Sequence, residues 1–161
     1  MSRHIVDVNA TSNTGTDTED TFVELLLSGM AIRVKRVTVR LGGGALATAG
    51  VDNDYEVRLV RKTAAGTGGT AATEVRKDQS AAVGTVAATV KNGTATFSTA
   101  TLGDLIEDVV KNGRETYEWI AKDEDDAIVT APVTGTGGIF AVIISSAVVS
   151  QRFQVAVEWE E

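Results

Sequence analysis

Asp54-Tyr55-Glu56-Val57-Arg58-Leu59-Val60-Arg61-Lys62-Thr63 runs directly into Ala64-Ala65-Gly66-Thr67-Gly68-Gly69-Thr70-Ala71-Ala72-Thr73. Successive side chains of a strand face opposite sides of a sheet, so Tyr55, Val57 and Leu59 point one way, into a core, and Glu56 and Arg58 point to solvent. The second half carries only small residues and reads as a displayed, adaptable connection, with Gly66, Gly68 and Gly69 as candidate contact residues.

The same alternation recurs outward from this segment. Arg152 to Glu160 sets Phe153, Val155, Val157 and Trp159 on one face against Gln154, Ala156 and Glu158 on the other. In Ile32 to Leu41 the apolar phase changes: Ile32 and Val34 share one parity, and Val37, Val39 and Leu41 the other. A β-bulge at Lys35-Arg36 returns both sets to a single face. Ile139 to Ile144 is apolar on both parities, which requires cover on both sides. Ile139, Phe140, Val142 and Ile144 are therefore candidates for a contact between subunits, with a central strand beneath a loop as the other explanation.

Asn92-Gly93 suits a type I′ turn, so Thr85–Val90 and Thr94–Thr99 are expected to pair as a hairpin. Thr101 to Asn112 has Leu102, Leu105, Ile106, Val109 and Val110 at helical spacing, but Gly103 and the β-branched pair Val109-Val110 interrupt it. A short helix and an extended edge segment both fit, and the β-rich surroundings favour the extended form. Many short strands separated by Gly-rich turns indicate an all-β fold, an antiparallel β-sandwich of jelly-roll type with long Gly/Thr/Ala loops. One domain is expected, with 1–20 as an N-terminal strand or arm plus loop, able to add to a partner's sheet edge, and 21–161 as the sandwich.

A chain of 161 residues can bury a core without crosslinks, and it has no cysteine, hence neither disulfides nor a thiolate metal site. The net charge of -7 argues against a nucleic-acid partner, which needs clustered Lys and Arg. No stretch approaches the roughly 20 apolar residues of a membrane helix, and the N-terminal residues lack the apolar region of a secretory signal. No membrane partner is therefore expected, and either the sequence is that of a mature form or no classical export occurs.

Chemistry-bearing residues are sparse. His4 is the single histidine and reads as a surface residue of the first strand, which leaves triads and His-based metal sites without material. Asp123, Asp125 and Asp126 are candidate calcium ligands, but they lack EF-hand spacing and a sharpening glycine, so a solvated acidic turn is the better reading. The Gly-Thr-Gly-Gly loops at Gly66–Gly69 and Gly135–Gly138 do not continue into the Lys and helix of a phosphate loop. No cofactor and no catalytic residue is expected.

From Arg33 onward the order of features resembles the capsid decoration, or cement, proteins of tailed bacteriophages. The shared pattern is a basic-apolar strand, then Val57-Arg58-Leu59-Val60-Arg61, Gly66-Thr67-Gly68-Gly69-Thr70, a long Thr/Ala stretch, Tyr117-Glu118-Trp119, and a terminal Val157-Glu158-Trp159-Glu160-Glu161. The alanine-rich segment from Ala81 to Ala88 and the nearly proline-free middle depart from it. The resemblance implies a non-enzymatic jelly roll, usually a homotrimer, that sits on the virion surface, binds the major capsid protein and stabilises the head. A carbohydrate- or receptor-binding sandwich of a phage fibre or spike is the alternative, with Tyr117 and Trp119 in an exposed groove.

Overall fold

The computed structural model describes residues 2–12, 19–27, 29–41, 54–77, 86–92, 95–98, 102–131, 138–146 and 151–161. Every regular element among them is a strand: β1 (Arg3–Thr11), β2 (Asp20–Leu26), β3 (Ile32–Leu41), β4 (Asp54–Lys62), β5 (Thr70–Ala72), β6 (Val75–Arg76), β7 (Ala87–Val90), β8 (Leu102–Asn112), β9 (Tyr117–Ile120), β10 (Ile128–Thr130), β11 (Ile139–Ser146) and β12 (Arg152–Glu160).

Two antiparallel sheets stack face to face. The first has the order β10-β3-β12-β1-β6, with β9 also on β3, and the second has the order β5-β7-β2-β11-β4-β8. The long strands pair in a nested series: β1 with β12, β2 with β11, β3 with β9 and β10, and β4 with β8. That nesting is the jelly-roll order, an antiparallel ribbon wrapped around a barrel-like core. The short strands β5, β6 and β7 lie between β4 and β8 in the chain and extend the sheets beside β1 and β2.

The alternation read from the sequence is what closes the core. Tyr55, Val57 and Leu59 of β4 and Phe153, Val155, Val157 and Trp159 of β12 are all buried between the sheets. The Phe153 ring meets Phe22 edge-on at 5.7 Å and Tyr55 at 5.3 Å. Each such side chain contributes about 1.5–3 kcal/mol through its removal from water. Tyr55 keeps its polar end satisfied by donating its hydroxyl to Glu115 O at 2.7 Å, and burial pushes its phenol pKa up. In β3 the register against β12 shifts between Glu158 and Trp159, so Lys35 is the extra residue, and Ile32, Val34, Val37 and Val39 all reach the core. The bulge expected at Lys35-Arg36 is there.

Two open alternatives are decided and one expectation is corrected. The segment Arg3–Thr11 is no free arm, because it pairs with β12 along its whole length and buries Val6, Val8 and Ala10. The extended form favoured for Thr101 to Asn112 is the one found: Leu102–Asn112 is a strand on β4. The Asn92-Gly93 hairpin does not form: β7 pairs with β2 and β5, while Ala95–Ser98 is not a strand. Gly93 and Thr94 themselves lie outside the described residues.

Candidate binding surface

The outer face of the first sheet is a lattice of charge. On β3 the inward Val37 and Val39 leave Arg36, Thr38 and Arg40 facing out, and register sets them opposite Glu158, Ala156 and Gln154 of β12. Arg40 donates to Gln154 Oε1 through Nε at 2.9 Å and Nη2 at 2.6 Å, and Gln154 Nε2 donates in turn to Asp7 Oδ2 on β1 at 3.0 Å. Arg36 pairs with Glu118 of β9, and Lys77 donates to Glu158 Oε2 at 2.7 Å. The network thus runs across four strands and the segment after β6.

At one end of this face lies a polar concavity of about 390 Å³, with Arg3, Lys35, Lys77, Glu124, Glu158 and Glu160 in its wall. The acidic turn closes over it. Glu124 accepts from Lys35 Nζ at 2.6 Å and Arg33 Nη1 at 2.7 Å, and these two donors, Lys35 foremost, hold its carboxyl below the ordinary range. Asp123 Oδ1 accepts the backbone N–H groups of Asp125 at 2.9 Å and Asp126 at 3.1 Å, a local turn that uses its carboxylate internally. Among the described residues no group of three acidic or imidazole side chains converges to hold a metal ion. Asp123, Asp125 and Asp126 build the turn that places Glu124.

The second sheet treats its outer face differently. Gly66–Gly69 lies across it, with Thr67 and Gly68 exposed and Phe97 fully buried beneath. A Cβ on Gly66 would lie 2.1 Å from Ser98 O, and one on Gly69 2.7 Å from the Phe97 ring. Gly68 has φ +96, a left-handed conformation that glycine adopts without strain. Under this lid Lys62 pairs with Glu24, both buried, and Glu24 also accepts from Gly66 N at 3.0 Å. A second buried pair, Lys91 Nζ to Asp20 Oδ1 at 3.1 Å, anchors the chain after β7, with Lys91 also donating to Ala95 O at 2.6 Å. The sequence reading missed both pairs, although Glu24 interrupts the apolar run Phe22-Val23-Glu24-Leu25-Leu26, the signal of a charge in a covered strand.

Ile139, Phe140, Val142 and Ile144 do not form a surface. They are at most 1% exposed within the single chain, because β11 is central in its sheet, with β2 and β4 on either side. Phe140, Val142 and Ile144 enter the main core, while Ala141 and Ile143 on the opposite face cluster with Val60. His4 is likewise buried, stacked on Trp159 at 5.6 Å with Nδ1 3.2 Å from Glu74 Oε1. Its parity with Val6 and Val8 explains this.

Tyr117 is 3% exposed, which removes it from any open aromatic groove, and Trp119 packs against the core. The Tyr117 hydroxyl donates to Glu107 Oε2 at 2.9 Å, and burial, reinforced by that carboxylate, drives its pKa strongly upward. No protein-family model, curated protein or solved structure matches the chain.

Proposed function

We propose that this chain is a non-enzymatic structural protein of a virus particle, a capsid decoration or cement protein that docks on the major capsid protein at the outer surface of an assembled phage head. The observation that carries the reading is the outer face of the first sheet. Its Arg36, Arg40, Glu118, Gln154 and Glu158 are held by neighbours across strands, so a partner meets a pre-arranged pattern of both charge signs. Such a pattern fixes register and excludes wrong partners more than it adds raw affinity. The jelly-roll order supports the same reading at the level of fold, since viral capsid proteins use it repeatedly.

Docking through this face leaves the lid over the second sheet free of any role in binding. The test is co-sedimentation with empty heads of the phage that encodes the chain. The wild-type chain is expected to pellet with heads and raise their resistance to heat, and Arg36→Glu with Arg40→Glu to abolish both. A folded wild-type chain that stays in the supernatant over a wide concentration range would sink the proposal.

A further inference from the structure

β8 is the longest strand and an edge of the second sheet: one side pairs with β4, and no strand among the described residues pairs with the other. Edge strands are commonly short, bulged or blocked, because unpaired N–H and C=O groups recruit other strands. β8 has register irregularities only near its start, opposite Leu59 to Lys62, and from Glu107 to Asn112 it runs regularly along β4. It also carries three exposed large apolar side chains, Leu102, Leu105 and Val110, the last at 63%.

We infer that this edge pairs antiparallel with β8 of a second copy of the chain, about a two-fold axis through Val109. Glu107 and Lys111 share one face of the strand, opposite Leu59 and Tyr55, and Asp108 and Val110 share the other, opposite Arg58 and Glu56. An axis at Val109 therefore sets Glu107 of each copy opposite Lys111 of the other, twice over, with Asp108 opposite Val110. Axes at Glu107, Asp108 or Lys111 would set a like charge against itself, which destabilises a directly opposed pair. An axis at Val110 leaves Lys111 opposite Val109 and forms no charge pair. The charge pattern thus selects one register and one occupant. Strand pairing of this kind is isologous and closes at two copies, unlike the trimer that the resemblance implies.

The test needs no heads and so stands apart from the decoration reading. Sedimentation of the intact chain at high micromolar concentration should give twice the chain mass. Lys111→Glu, which opposes Glu107 with a like charge in both halves, should weaken the dimer roughly tenfold or more. The swap Glu107→Lys with Lys111→Glu should restore it, which a mere folding defect would not. Because the chain has no cysteine, Val109→Cys reports the axis cleanly. Opposed residues lie about 4.5–5.5 Å apart at Cα, within disulfide reach, and mild oxidation should trap a covalent dimer. A monomeric wild-type chain would overturn the inference, and so would a dimer that survives Lys111→Glu or fails to crosslink at residue 109.

Discussion

The two outer faces of the sandwich start from the same alternation and end differently. On the first sheet the outward Arg36 and Arg40 stay exposed to water and pair across strands. On the second a glycine-rich loop and Phe97 fold over the strand ends, and the charges beneath become buried pairs. Exposed pairs in water are worth little, about 0–1 kcal/mol each, so the first face is free to serve recognition. Buried pairs tolerate no broken partner, so the second face is committed to holding the lid.

The largest effect that can break this comparison is expected at Lys62. Lys62→Met leaves the buried Glu24 carboxylate without its cation and should cost about 3–5 kcal/mol in denaturant unfolding. Adding Glu24→Leu should return most of that loss, because a matched apolar pair requires no desolvated charge. Gly68→Ala comes next: its Cβ would meet Thr96 O at 2.1 Å from a φ of +96, and a loss of about 1–3 kcal/mol is expected, read as a fall in Tm. By contrast Arg36→Ala, at the centre of the charged face, should change stability by no more than about 1 kcal/mol. An Arg36 effect as large as that of Lys62 would erase the distinction between the faces.

The smallest effect concerns pH. Glu124 has its carboxyl pKa lowered by Lys35 and Arg33, so its contribution is fully present above the ordinary carboxylate range and is lost as pH falls through the lowered value. Because Glu124 is exposed, its protonation should release the acidic turn in acid without unfolding the sandwich, seen as faster amide exchange at Asp125 and Asp126. Glu56 has the opposite sign. A hydrogen bond with Asp108, then burial and charge, raise its pKa, so its protonated form is favoured in the fold and rising pH removes that contribution. Glu56→Gln should therefore flatten the decline on the alkaline side of its titration, checked by denaturant midpoints across pH.

Much of the frame was legible in residue order. Period-two alternation places Tyr55, Val57, Leu59 and the terminal strand in the core, and the phase change in Ile32 to Leu41 locates the bulge at Lys35. Where reading failed, a local preference met a distant partner. Asn92-Gly93 favours a hairpin, but β7 takes β2 and β5 as neighbours instead, and Lys91 is drawn to Asp20, 71 positions away in the chain. Gly66–Gly69 looks like an exposed connector because small residues suit loops. Thr67 and Gly68 are indeed exposed, and what the residue order does not show is that the smallness also lets backbone reach Phe97 and Glu24. The charged face left a trace in Arg36 and Arg40 at alternate positions, but its acidic half comes from β9, β12 and the turn at Glu124, which only the fold brings together.

Carboxylate footprinting of the chain free and bound to heads tests the central claim most directly. The account predicts protection on binding at Glu118 and Glu160 of the first sheet, with Asp104 and Glu56 on the second sheet labelled equally in both states. Protection confined to the second sheet, or none on a chain that still binds, would contradict it.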